Sequence, residues 1–382
     1  MANAFKRRIR YRTTSTSTIP AGAWVASTGN NGNDGSFGSP WLTIAYAITQ
    51  QASWPSRTLN IVGNGAVYAE TIDDALVSGS SGNPYIVRGY YSGSARPILR
   101  PAGGNNRVIY TYQNTDLTFR GLACDGVNVS FDCIKIEDAD RITVDNCEVY
   151  NETVSQGILV STGSTFVTIQ NCDVHNNGTD NFTHGIYISQ CTDAVVENNH
   201  CYSNAGWGIQ VYAEVANVND RVIVRNNRCH DNGTGYASAA GIVLAASADA
   251  QIYNNTCWDN PGPGIQLQFG SARTDAHVYY NTCYSNGDTG ILIGANSSNT
   301  LVKNNICYAN GTNYSDAGTG TVHTNNLDDG TDPSFTNAAS ADFTLQAGSA
   351  ALGIGADVGI YTDQAGNSRP VSSPDAGAFE RA

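Results

Sequence analysis

The sequence predicts an all-β solenoid, a single right-handed parallel β-helix with a short N-terminal capping helix. Three observations carry this reading. A gapless motif repeats every 24–28 residues, short apolar β-type runs occupy fixed places within it, and a cysteine column keeps the same spacing. A period of this length without a helical pattern marks stacked supersecondary units, each burying the face of its neighbour.

The repeat opens at Val144-Asp145-Asn146-Cys147 and recurs at Ile169, Val196, Val224, Ile252, Val278 and Val302. Five residues past each start stand Val149, Val174, Cys201, Cys229, Cys257, Cys283 and Cys307. A Gly-Ile pair follows in most coils, at Gly157, Gly185, Gly208, Gly241, Gly264 and Gly290. Strand alternation sends the branched residues and the cysteines inward, to stack on their equivalents about 4.8 Å away. The Asn in fourth place, present in five of seven coils, suits a left-handed bend. It is also expected to form an amide ladder, because a buried amide needs a partner. The aligned cysteines read as buried free thiols. Five in register leave one unpaired under any disulfide pairing, and a reduced column agrees with folding in a cytoplasm.

The expected organisation is a basic arm over 1–20, an N-terminal cap over 21–55, the β-helix over 56–325 and a closing segment over 326–382. Within the cap, Leu42, Ile44, Ala45 and Ile48 have helical spacing between Trp41 and Gln50, and this helix is expected to plug the open end. No stretch approaches the roughly 20 apolar residues of a membrane span. The basic start, Met1 to Arg12, runs into Thr and Ser rather than the apolar core of a signal peptide. A net charge of −13 with 14% charged residues argues against a nucleic-acid partner. It leaves a glycan or another protein.

The Asn-Asn-x-Cys column with its Gly-Ile strand resembles the repeat of the pectin-lyase-like superfamily over about residues 55–325. The basic start resembles those of some phage virion proteins, and the two end segments resemble those of phage and bacterial β-helix proteins. The resemblance implies the fold. It leaves the activity open, because the superfamily holds lyases, hydrolases, esterases, epimerases and adhesins.

A solenoid works on its outer walls and on the loops that interrupt them. The outward positions of the Gly-Ile strands give Tyr187, Gln210, Tyr212 and Gln266 as candidate substrate-binding residues, with Asp180 in a long loop beside them. Rings stack on sugar C–H faces and amides pair with hydroxyls. A glycosidase needs two carboxylates about 5–9.5 Å apart, for which Glu137 with Glu214 or Asp220 is the candidate set. A lyase needs a base, for which the candidates are Lys135 and His184. No metal site is read from the spacing and no cofactor is expected, with Ca²⁺ entering only if the reaction is a lyase. A second stripe, Tyr150, His175, Tyr202, His230, Trp258, Tyr284 and Tyr308, reads as an aromatic stack stiffening a turn or meeting another subunit, in preference to a polymer-binding platform. Glu197 and Arg225 read as an ion pair between coils.

Three functions fit. The first is a tailspike-like virion surface protein, a homotrimer held to other virion proteins by its N-terminal arm, that binds a cell-surface polysaccharide and as a depolymerase would cut it. The second is a secreted, extracellular bacterial polysaccharide lyase or glycoside hydrolase. The third is a non-catalytic structural spike or adhesin. None of the three calls for a membrane-inserted segment.

Overall fold

The computed structural model describes residues 19–381 apart from 92, 94, 105, 214–218 and 271. The expected basic arm thus lies almost wholly outside the described residues. Three parallel sheets form the walls of a solenoid, here named A, B and C, with twelve, ten and ten strands among the described residues. Each coil runs from A to B to C and returns to A one level on. One such circuit is Thr168–Gln170, Asp173–His175, Ile186–Ser189 and Val195–Glu197.

The interior is built of columns. On wall A, Val144, Ile169, Val196, Val224, Ile252, Val278 and Val302 stack in register. On wall C, Ile134, Ile158, Ile186, Ile209, Ile242, Ile265 and Ile291 do the same. All are buried, each worth about 1.5–3 kcal/mol of burial. On wall B, Cys201, Cys229, Cys257, Cys283 and Cys307 lie in one row. All ten cysteines are free and buried. Burial pushes the thiols of Cys201, Cys257 and Cys307 well above their ordinary range, so they act as small apolar fillers rather than nucleophiles.

At the corner between walls A and B, two neighbouring asparagines divide the work that the sequence assigns to one. The first of each pair, Asn198, Asn226, Asn254 and Asn304, takes a left-handed backbone with φ between 53° and 60°. The second points inward and builds the ladder Asn199, Asn227, Asn255, Asn281, Asn305, Asn326, each amide donating to the next at 2.9–3.1 Å. Tyr280 holds the same bend at φ 52° without an Asn, and its hydroxyl donates to Ala356 O in the C-terminal tail at 3.0 Å.

A second ladder follows wall B: Asn177, Asn204, Asn232, Asn260, Asn286 and Asn310, at 2.9–3.1 Å. It explains the Gly-Ile motif. A Cβ at Gly208 would sit 2.8 Å from Asn232 Nδ2 and 2.7 Å from Gly241 O, and the other glycines of the motif have the same crowding. The ladder occupies the space a side chain would need.

The cap helix runs over Ile44–Thr49 and starts at Thr43, whose side chain accepts from Tyr46 N. It buries Ile44, Ala47 and Ile48, whereas Leu42 and Ala45 are exposed. The expected face is therefore turned: Leu42 precedes the cap, and the Glu70 carboxylate accepts from Ile44 N and Ala45 N at 3.0 and 2.8 Å, fixing the first turn to the solenoid. Ahead of the helix, Ala23–Val25 already pairs with Thr58–Val62 as the first strands of wall A. At the other end the chain does more than close the solenoid. Phe335–Asn337 and Asp342–Leu345 form a hairpin packed on Trp258, Tyr284 and Tyr308. The tail beyond it runs back along the A–B corner, through Gly377 N to Asn304 O, Arg369 to Asn254 Oδ1, and Gln364 Nε2 to Asn227 O.

Asn255 makes four ladder contacts: its amide nitrogen donates to Val224 O and Asn281 Oδ1, and its oxygen accepts from Asn227 N and Nδ2. Asn255→Ala is expected to cost about 2–3 kcal/mol in urea unfolding. Asn198→Gly, at an exposed left-handed bend, is expected to change stability by less than about 0.5 kcal/mol. In a thiol titration the native chain should react at almost none of its ten cysteines, and the urea-unfolded chain at all ten without added reductant.

Candidate functional site: the outer face of wall C

Register places one outward residue per coil along wall C: Tyr110, Lys135, Leu159, Tyr187, Gln210, Val243, Gln266 and Leu292. From Lys135 to Gln266 is five coil steps, about 24 Å along the axis. A second row, two residues further along each strand, carries Tyr112, Glu137, Ser161, Ser189 and Tyr212.

Near the N-terminal end the two rows bring Lys135, Glu137 and Tyr110 together. Lys135 Nζ lies 2.9 Å from Glu137 Oε2, and the Tyr110 hydroxyl donates to the same oxygen at 2.8 Å. Burial opposes the charge on Glu137, but Lys135 and Tyr110 outweigh it and hold the carboxyl below its ordinary range. Burial and the Glu137 carboxylate together push the Tyr110 hydroxyl up to about 12. The Arg107 guanidinium lies between the rings of Tyr110 and Phe131, 4.6 and 4.5 Å from their centroids.

The middle of the wall is not the smooth strip that alternation suggests. Here Val243 is buried in a cluster with Trp207, Ala239, Ala240 and Ala245, against which Tyr212 and Tyr236 pack. Outward residues here are therefore buried: Gln210 is 7% and Gln266 5% exposed. Gln266 Nε2 donates to Gln268 Oε1 at 2.6 Å. Gln210 Oε1, Gln266 Oε1 and Trp207 Nε1 are buried without a hydrogen-bond partner. Tyr187 and Tyr212 stand 6.4 Å apart, ring to ring, and Phe269 lies 5.9 Å from Trp207. Gly270 admits the Tyr212 ring, which a Cβ there would approach to 2.8 Å.

The remaining candidates are dispersed. Glu214 lies outside the described residues. Asp220 sits on the corner between walls C and A, three coil steps or about 14 Å along the axis from Glu137. That exceeds the span of a glycosidase pair, so the structure does not bring these two together. Asp180 is exposed, and its Oδ1 accepts from Phe182 N within its own loop. His184 is buried against Trp207, with Nδ1 accepting from Trp207 N at 3.2 Å, and burial lowers its pKa to about 3. It is a neutral side chain holding the loop. Glu152 was not among the candidates. It heads the second ladder where other coils have Asn, and burial raises its carboxyl to about 7. Its place three residues after Val149, like Asn204 after Cys201, was the available signal. Among the described residues no group of three or more His, Cys, Asp or Glu side chains is arranged to hold a metal ion.

Stacked parallel coils with in-register strands define a right-handed parallel β-helix. The chain belongs to the family described as right handed beta helix region, whose model matches residues 102–223 and 157–328. It is similar in structure to pectate lyase Pel9A, at 18% identity and a TM-score of 0.73, over 94% of this chain and 96% of that one. It is similar to a rhamnogalacturonan lyase at 16% identity and a TM-score of 0.64, over 82% and 90% of the two chains. A third similar structure is ORF18 of Geobacillus virus E2, at 10% identity and a TM-score of 0.52, over 70% of this chain and 52% of that one. A comparison with curated proteins finds no match.

The His184 pKa is depressed when folded, so the unfolded chain binds a proton there first as pH falls. Its contribution to stability is complete above about pH 6.5 and is lost progressively from 6.5 toward 3, at up to about 1.4 kcal/mol per pH unit. The stability difference between the native chain and His184→Gln, from urea unfolding at pH 7, 6, 5 and 4, should narrow or reverse by that slope. A pH-independent difference would refute a buried neutral imidazole.

Proposed function

We propose that the chain binds an acidic polysaccharide lengthwise on the outer face of wall C and cleaves it by elimination at Lys135. The observation that carries this reading is the pair of half-buried rings, Tyr187 and Tyr212, 6.4 Å apart on the face that also carries Lys135 and Glu137. Pyranose C–H faces lie on such rings, and side-chain hydroxyls beside them pair with sugar hydroxyls.

At the N-terminal end of the same wall, the Arg107 guanidinium, 3.8 Å from Asp132 Oδ2, provides cationic charge for a uronate carboxylate. A base and a cation side by side suit elimination better than hydrolysis, which requires two carboxylates facing the bond. Lys135, as the free amine, takes the proton next to the uronate carboxyl, a carbon–carbon double bond forms in the new end residue as the bond to the leaving sugar oxygen breaks, and that oxygen takes a proton from water. Glu137 orients Lys135. The fold similarity to proteins described as pectate and rhamnogalacturonan lyases supports this choice of polymer.

A second reading, a tailspike-like virion protein using the same wall, is favoured by the similarity to a Geobacillus virus E2 protein. It requires a trimer, three times 40.4 kDa by light scattering, and a monomer would count against it.

On a panel of uronate and neutral polymers, the native chain should release unsaturated ends, seen by ultraviolet absorbance, from a uronate polymer only. Lys135→Ala should lower the rate at least about 100-fold with binding retained. Tyr187→Ala with Tyr212→Ala should weaken binding about 10-fold or more. Binding without any new end from any polymer would establish the adhesin reading instead.

A further inference from the structure

Away from wall C, the outer face of wall B carries a polar pocket beneath the C-terminal hairpin. Its volume is about 450 Å³, its floor is His200, Arg228 and His230, and its roof is the turn Ala338–Ala341. That volume lies in the range of small-ligand sites.

The floor contains an arginine that the repeat leaves without a counter-ion. Along these coils an arginine is paired with an acid 28 residues earlier: Arg221 with Asp193 at 2.8 Å and Arg225 with Glu197 at 2.7 Å. The residue 28 before Arg228 is His200, its register partner on wall B. Among the described residues no carboxylate lies within ion-pair distance of Arg228 and no hydrogen bond to its guanidinium is found, although it is half-buried, 5.3 Å from the centre of the Trp258 ring.

The histidines do not supply the missing charge. His200 Nε2 and His230 Nε2 are 2.7 Å apart, so one donates and the other accepts. His230 Nδ1 meets Asp231 Oδ2 at 2.7 Å, which makes His230 Nε2 the acceptor and His200 Nε2 the donor. Asp231 is thus engaged by His230. Asp173 stands 3.6 Å from His200 Nδ1, and Asp259 is exposed at the rim. Burial holds the Arg228 guanidinium below its ordinary pKa, outweighing the attraction of the more distant Asp173 carboxylate.

We propose that this pocket is a second carbohydrate site, separate from wall C, that takes one carboxylated sugar residue with its carboxylate on the Arg228 guanidinium. A planar carboxylate matches the guanidinium fork in two parallel hydrogen bonds. The choice of a sugar acid over any other small carboxylate rests on the polysaccharide reading of wall C. The Arg228 anion site itself does not.

The test is calorimetric titration of the full chain with D-glucuronate, D-glucose and inorganic phosphate. Glucuronate should bind, and glucose and phosphate should bind at least about 10-fold more weakly. Arg228→Gln should abolish glucuronate binding. His200→Glu should do the same by giving Arg228 the cross-coil carboxylate that Arg225 already has, and this variant should unfold no earlier than the native chain. Arg228→Gln should leave cleavage of the uronate polymer on wall C unchanged, which separates failure here from failure of the wall C reading. Undiminished binding by Arg228→Gln or His200→Glu overturns the site. Phosphate binding as tightly as glucuronate overturns its assignment to a sugar acid.

Discussion

Everything in this molecule depends on one side-chain amide pairing with its own copy one coil away. A β-helix must turn three sharp corners per coil, and each corner takes backbone groups out of strand pairing while keeping them from water. The two asparagine ladders meet that demand by translation: each amide donates to a carbonyl one coil back and to the next amide, and accepts from the amide one coil behind. A lone asparagine at such a corner would be a liability; a column satisfies all but its ends. The ends are where the sequence changes. Glu152 heads one ladder and Cys172 precedes the other, with Cys172 N donating to Asn199 Oδ1.

Translation also decides what the outside offers. Residues one coil apart are held side by side at the strand spacing, so the surface is a set of rows in which pairs 24–28 residues apart act as neighbours. Arg225 with Glu197 and the Tyr253 hydroxyl is one such row on wall A. The stack of Tyr150, His175 and Tyr202 on wall B is another, with rings 5.6 and 4.7 Å apart. That stack meets its own chain: Trp258 and Tyr284 pack on Phe343 of the hairpin. Lys135 and Glu137 face each other from a single strand, whereas acids from different coils, such as Glu137 and Asp220, stay as far apart as the coils that carry them.

The parts of this architecture that repeat were legible in the sequence. The Val and Ile columns, the thiol row and the Glu197–Arg225 pair follow from period alone, because equal spacing becomes equal position. The second ladder was equally visible as Asn three residues after each cysteine, yet it reads as loop until its amides are seen stacked. What resisted reading lies where the period is broken. The segment ending at Ala239 and Ala240 is longer than its counterparts in most coils, so nothing in the pattern shows that Val243 is buried in a cluster with it. His184, in another irregular stretch, resembles an exposed base by position and is a buried loop anchor by environment. The cap helix was found, but its face was rotated because Thr43 sets the start and Glu70 fixes the first turn.

The returning tail changes the mechanics of the solenoid. In a simple stack each coil touches only its neighbours, so a free end can fray one layer at a time. Here Gln364, Arg369 and Gly377 are clasped to coils that begin at Asn227, Asn254 and Asn304, with Tyr280 held between them. The terminal coils are laced into one block, and the last of them cannot peel away until the lace is undone. Heat or pulling force applied at that end should therefore meet a single large barrier rather than a ladder of small ones.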